Sequence, residues 1–333
     1  MKINEIGEKD LIKRISAVAA RTLTADMLGI GDDAALTRMK ENFCLVTSKD
    51  LLVEGVHFLL PGIAARDLGY KALAVNLSDM AAMGALPRHA FVALAIPPAM
   101  ESKFILEFYE GLVDLALDFK VAVSGGDTVA SPGPLVVSVT VQGEVEQGKA
   151  LLRSGAKAGD LLCTTGALGA SAAGLLLLEH NLPCAATVRT QALLAHYRPL
   201  PRVKEAEWLA KLGVVTAAMD ISDGLSKDVL EICQASGCGA LLYEDKIPIH
   251  WVAAAVAPLK EIDPLSLAMH GGEDYELLFT LPPEFFTSTA QSFYEYFGQA
   301  IIPIGEITEA TEIGMVTKEG KWEKLQFKGY QHF

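Results

Sequence analysis

The sequence predicts a mixed α/β (α+β) protein of two domains, and three observations point there. The chain has 333 residues, which suggests about two domains on a prior of ~150 residues each. Its residues are 51% hydrophobic and 21% charged, enough apolar side chain for a sizeable core and too little charge for global disorder. Strand-like and helix-like segments alternate in both halves. A stretch rich in glycine and polar residues separates the halves: Glu146-Gln-Gly-Lys149, then Arg153-Ser-Gly-Ala-Lys-Ala-Gly159. The boundary is placed there, giving domains 1–148 and 149–333.

The elements follow in order. Leu11, Ile12, Ile15 and Val18 share one face of a helix over Glu8 to Ala20. Phe43 to Thr47 is a short strand, with Asp50 just past its end. Ala64 to Met83 is a long helix on which Leu68, Ala72, Val75 and Met80 recur at helical spacing. Asn76 and Asp79 are three apart on it and share a face. His89 to Ile96 is a weakly alternating strand, Ser102 to Asp118 a helix, Val121 to Ser124 and Leu135 to Glu144 strands. In the second half, Asp160 to Thr165 is a strand, Gly169 to Glu179 a helix and Pro199 to Leu212 another. Ala217 to Ile221 is a strand running into Ser222-Asp-Gly, Leu225 to Ala235 a helix and Glu276 to Thr280 a strand. Short strands and turns fill Ile301 to Phe333.

Composition excludes several classes. A formal net charge of -13 argues against a nucleic-acid-binding face, which needs a basic surface. Cys44, Cys163, Cys184, Cys233 and Cys238 form no Cys-x-x-Cys pair, and no histidine stands at ligand spacing near two of them; they read as reduced, mostly buried thiols. Charges before any apolar run (Lys2, Glu5, Glu8, Lys9 and Asp10) do not fit a signal peptide. The most apolar stretch, Ala167 to Leu178, is too short and too rich in glycine and alanine to span a bilayer. The expectation is a cytoplasmic protein with no membrane or nucleic-acid partner.

Seven aspartates stand where helices or strands begin or end, most beside glycine or serine: Asp32, Asp33, Asp50, Asp79, Asp127, Asp220 and Asp223. Crowded carboxylates repel one another unless hard cations lie between them, which points to magnesium and so to phosphate chemistry. In Gly29-Ile-Gly-Asp-Asp-Ala-Ala35 the glycines permit close ligand approach and the acids can hold metal; a solvated turn fits the same run. In Ser124-Gly-Gly-Asp-Thr128 the glycines can expose N–H groups to a phosphate while Asp127 holds a cation, or Asp127 can simply cap a tight turn. In Asp220-Ile-Ser-Asp-Gly-Leu225, capping accounts for Ser222 or Asp223 and leaves Asp220 unexplained. Glu273, in Gly271-Gly-Glu-Asp-Tyr-Glu276, can meet a cationic or hydrogen-bonding group. His57 and Arg153 are further candidates. No Walker A loop and no protein-kinase signature is present.

In order along the chain, these motifs resemble the thiamine-monophosphate kinase family, part of the superfamily that includes aminoimidazole ribonucleotide synthetase. The resemblance covers nearly the whole chain: residues 29–33, 70–85, 124–128, 153–160, 220–225, 271–279 and the Lys-Gly-Tyr-Gln-His-Phe run at 328–333. It implies a two-domain aminoimidazole ribonucleotide synthetase-like fold whose N-terminal domains pair into a β-barrel across a homodimer. It also implies transfer of the γ-phosphoryl of ATP to thiamine monophosphate, with ATP as co-substrate and several Mg²⁺ ions. By position it assigns Asp33, Ser48, Asp50, Asp79, Asp127, Asp220 and Asp223 to metal, and Tyr109, Gly126, Asp127, Arg153 and Ser222 to ATP. His57, Glu273 and Phe327 fall to the thiamine phosphate, and Asp50, Asp79, Asp127 and Asp220 to catalysis. One departure stands out. Lys49 replaces a hydroxyl residue usual in the family, so either its backbone carbonyl coordinates there or its ammonium contacts a phosphate.

Overall fold

Period-two burial along Phe43–Val53 builds the first sheet. In this strand, β2, residues Val46, Ser48 and Leu52 are buried while Lys49 and Leu51 are exposed, so one face turns inward. β2 pairs antiparallel with β1 (Ala35–Lys40) and with β5 (Val136–Glu146). β3 (Leu86–Ile96) pairs antiparallel with β5, and β4 (Ala122–Ala130) lies parallel to β3, giving the order β1-β2-β5-β3-β4. The computed structural model describes residues 35–329; the helix expected over Glu8 to Ala20, Asp32, Asp33 and the last four residues lie outside them.

Two strands run further than their sequence suggests. Asp50 sits inside β2, opposite Val139, because the ladder to β5 continues to Val53. Ser124-Gly-Gly-Asp-Thr128 lies within β4 and forms no turn after a strand.

α1 (Ala65–Ala82) covers the inner face of this sheet and α2 (Ser102–Asp118) packs on α1. α1 is buried almost all round, with Lys71, Asn76 and Ser78 among its buried residues. A helix in that state has protein on every side. Its second neighbour is the C-terminal half: Leu73, Leu77 and Met80 share one core with Ala218, Leu277 and Phe279.

That half is built on a seven-stranded sheet. Its strands are β6 (Leu161–Thr164), β7 (Ala217–Asp220), β8 (Gly239–Tyr243), β9 (Leu277–Leu281), β10 (Ile302–Thr308), β11 (Ile313–Val316) and β12 (Trp322–Lys324), in the order β12-β11-β8-β10-β6-β9-β7. β8 and β11 are parallel and the other pairs antiparallel. Around it lie α3 (Ala170–His180), α4 (Ala186–Tyr197), α5 (Val203–Leu212), α6 (Leu225–Ser236), α7 (Trp251–Val256), α8 (Pro264–His270) and α9 (Pro283–Phe297). The mixed α/β expectation stands, with one sheet in each half. Among the described residues, no helix is long and apolar enough to cross a membrane. All five cysteines are free thiols, four of them buried.

Candidate active site

α1 is the common wall of the site. On its sheet side, the Ser48 hydroxyl donates to Asp79 and lies 3.3 Å from Asn76 Oδ1, which also accepts the Asp50 N–H at 3.2 Å. Asn76 and Asp79 thus share a face, as their spacing predicts, and that face is locked to β2. Burial pushes the Asp50 carboxyl up to about 6, since desolvation disfavours its charged form.

On the opposite side, Ser78 Oγ donates to Asp220 Oδ2 at 2.6 Å. Asp220 ends β7 and is 1% exposed. The turn after it is braced by the 271–276 loop: Ile221 N donates to Glu276 O, Tyr275 N to Ile221 O and Glu273 N to Ser222 O, at 2.8, 2.9 and 2.7 Å. The loop is strained to do this. Gly272, Glu273 and Tyr275 have φ of 70°, 56° and 52°, a region that L-residues with a Cβ adopt at a cost. At position 272 a Cβ would also lie 2.7 Å from the Ser222 carbonyl.

The left-handed turn directs Glu273 at α1. Lys71 Nζ lies 2.9 Å from Glu273 Oε1 and 3.0 Å from Oε2, and His196 Nδ1 lies 3.2 Å from Oε2. Burial alone would raise the Glu273 carboxyl, but Lys71 and His196 outweigh it and bring it down to about 2. Glu273 also lines a cavity of about 210 Å³ with Ser171, Arg198, Arg202 and His250. Tyr275 closes the group. Its hydroxyl is raised well above its ordinary value, first by burial and then by the charges of Glu273, Asp50, Asp220 and Asp79.

The two other acids of the loop have structural partners. Asp274 accepts the Gly169 N–H at the start of α3, and Glu276 pairs with Arg202 and accepts from Thr165. Asp223 lies 3.5 Å from Lys227 Nζ, one turn along α6. The segment carrying Phe327 docks beside them, with the Lys328 carbonyl accepting from Ser226 at 2.8 Å. Phe327 is 38% exposed.

The structure therefore gathers Ser48, Asp50, Asp79, Asp220, Ser222, Asp223, Glu273 and Phe327 along one seam. Asp33 lies outside the described residues, and Asp127, Gly126, Tyr109, Arg153 and His57 have other neighbours in this chain. Asp127 pairs in register with Ala93, in the row of Ser138 and Leu51, whereas Asp50 shares its row with Val139, Val92 and Gly126. Asp127 is therefore three strands from β2, about 14 Å at the usual strand spacing, and on the opposite face. Gly126 is required by the backbone itself, because a Cβ there would meet the Val92 carbonyl at 1.8 Å. Tyr109 packs edge-on to Phe108 on α2. Arg153 lies 3.9 Å from Glu231, its carbonyl held by Ser236 at 3.1 Å. His57, in the turn after β2, accepts the Val53 N–H on Nδ1 at 3.0 Å. Lys49 points to the outer face, away from Ser48 and Asp50.

Sequence reading missed Lys71, Ser78, His196 and Tyr275. Lys71 carries one usable signal, a cation next to the apolar run Ala72-Leu73-Ala74-Val75 in the middle of the helix. The others depend on contacts between segments far apart in the chain.

Among the described residues, no three His, Cys, Asp or Glu side chains converge on one metal position. The donors are oxygens arranged singly and in pairs, which fits Mg²⁺: it commonly takes one or two carboxylates and completes its shell with water and phosphate oxygens.

Comparison with known proteins gives a consistent result. The AIR synthase related protein N-terminal domain family matches residues 31–145, and the corresponding C-terminal domain family matches residues 157–318. The thiamine-monophosphate kinase of Bacillus subtilis (strain 168) is 39% identical over 98% of this chain and 100% of its own length. That of Escherichia coli (strain K12) is 40% identical over 98% of each. The solved structure of AaThiL complexed with AMPPCP and TMP superposes with a TM-score of 0.87 at 32% identity, covering 100% of this chain and 99% of that one.

Proposed function

The chain belongs to the thiamine-monophosphate kinase family of AIR synthase related proteins, and from that membership we infer that it transfers the γ-phosphoryl of ATP to thiamine monophosphate, giving thiamine diphosphate and ADP. Full-length likeness to named kinases carries the reading, supported by the neighbour complexed with AMPPCP and TMP.

The residue roles are those that the family resemblance implies, position by position. Ser48, Asp50, Asp79, Asp220 and Asp223, with Asp33 and Asp127, would hold Mg²⁺, and Asp50, Asp79, Asp127 and Asp220 are the catalytic acids through that role. When bound, the ions screen repulsion between two polyanions and stabilise charge on the transferring phosphoryl. Tyr109, Gly126, Asp127, Arg153 and Ser222 take ATP. His57, Glu273 and Phe327 take the thiamine phosphate, where the half-exposed Phe327 ring suits a cationic thiazolium. The acceptor oxygen is already ionised near neutral pH, so no side chain has to remove a proton. Positioning and electrostatics are then sufficient for a direct in-line transfer without a covalent phospho-enzyme.

The working unit is a homodimer in the cytoplasm. The outer face of the first sheet exposes Leu51, Phe91 and Val129, and pairing two such sheets into a β-barrel covers them. Asp127 lies on that same face, so pairing offers it to the neighbouring chain. The domain boundary is placed between residues 148 and 149.

The direct assay incubates the protein with ATP, Mg²⁺ and thiamine monophosphate, with free thiamine as a competing acceptor. Thiamine diphosphate should form from the monophosphate alone; phosphorylation of free thiamine in its place would overturn the reading.

A further inference from the structure

Lys71 stands in the middle of α1 with its side chain 1% exposed. An ammonium in that position loses its water and is tolerated only when paired. Its partner, Glu273, lies 202 residues along the chain in the other half of the molecule. Both carboxylate oxygens are within 3.0 Å of Nζ. Stability alone is a poor reason for such a pair, because well-packed apolar side chains of the same volume usually serve as well. Orientation is a better one. Glu273 sits on left-handed backbone, is 30% exposed and borders an open cavity, so a carboxylate presented to a ligand is gripped from behind by a cation fixed in a helix.

We propose that Lys71 is a positioning residue for substrate binding, holding the Glu273 carboxylate in the one orientation that meets thiamine monophosphate. The proposal rests on the reading of Glu273 as a substrate contact. His196, 3.2 Å from Oε2 and hydrogen-bonded to Ser171 at 3.0 Å, steadies the same group from α4.

The test measures KM for each substrate and kcat in the full-length protein carrying Lys71→Met, Lys71→Arg, Glu273→Gln or the double change Lys71→Met/Glu273→Gln. Lys71→Met should raise KM for thiamine monophosphate at least about tenfold while KM for ATP stays within about twofold. Lys71→Arg, which keeps the charge and can grip a carboxylate with two donors, should recover most of that loss. The double variant should match Glu273→Gln, because Lys71 acts only through Glu273. Glu273→Gln without effect on KM for thiamine monophosphate would overturn both the substrate-contact reading and the proposal. A clear effect of Glu273→Gln with none from Lys71→Met would overturn the proposal alone. Should Lys71→Met not fold, a double variant about tenfold weaker than Glu273→Gln would overturn it too.

Discussion

Ser78 Oγ donates to Asp220 Oδ2 at 2.6 Å, and the next residue, Asp79, accepts from Ser48 on the other side of the same helix. Adjacent positions on α1 thus address the two sheets of the molecule, and the acids of both halves are referenced to one rigid element. Ser78→Ala leaves a buried carboxylate short of a donor. It should cost about 1.5–3 kcal/mol, the usual worth of a hydrogen bond to a charged group. Urea denaturation checks this, and turnover should fall along with stability because Asp220 loses its orientation.

Glu273 predicts an acid-side stability effect. Its folded value, about 2, lies below its ordinary 4.5, so the unfolded chain binds its proton first. The stabilisation is present above about pH 4.5 and disappears as pH falls toward 2, at a size on the order of 3 kcal/mol. Urea midpoints at pH 6, 4 and 3 should show wild type losing its advantage over Glu273→Gln in that window.

Gly272→Ala should be costly for two reasons, a φ of 70° and a Cβ 2.7 Å from the Ser222 carbonyl. The expected loss is about 1–3 kcal/mol, read as a lower thermal midpoint. KM for thiamine monophosphate should rise as well, since Glu273 follows directly.

Asp50 and Asp127 lie on opposite faces of the first sheet, so a site using both draws them from two chains. Asp50→Asn and Asp127→Asn should each be inactive, and co-expression should restore activity, because a mixed dimer has one site with neither change. Size-exclusion chromatography should find a dimer. Absence of rescue in verified mixed dimers would place both acids within one chain.

Much of the fold was legible because its signals are local. α1 and α2 announce themselves by apolar periodicity, and the glycine-containing turns at 220–225 and 271–276 mark places where carboxylates gather. Less legible were strands in which polar residues take inward positions. Ser48 and Asp50 look like the end of β2 until Asn76 and Asp79 are seen to satisfy them. β4 looks like a turn because of its two glycines, of which Gly126 is set by close approach to the Val92 backbone. The helices α4, α7, α8 and α9 went unassigned, and with α4 the role of His196. Of the site, the acids could be read from their surroundings, whereas Lys71 and Tyr275 acquire meaning only from chain segments about 200 residues away.

The proposed role of the carboxylates at this seam is to act on phosphoryl transfer through magnesium. Its most direct test is the rate of thiamine diphosphate formation across a magnesium titration for wild type and Asp79→Asn, with the fold monitored by circular dichroism. The expected result is a magnesium-dependent wild-type rate and a fall of at least about 100-fold in the folded variant at every magnesium concentration. A folded Asp79→Asn protein turning over at close to the wild-type rate, or a wild-type rate that survives removal of magnesium with a chelator, would contradict it.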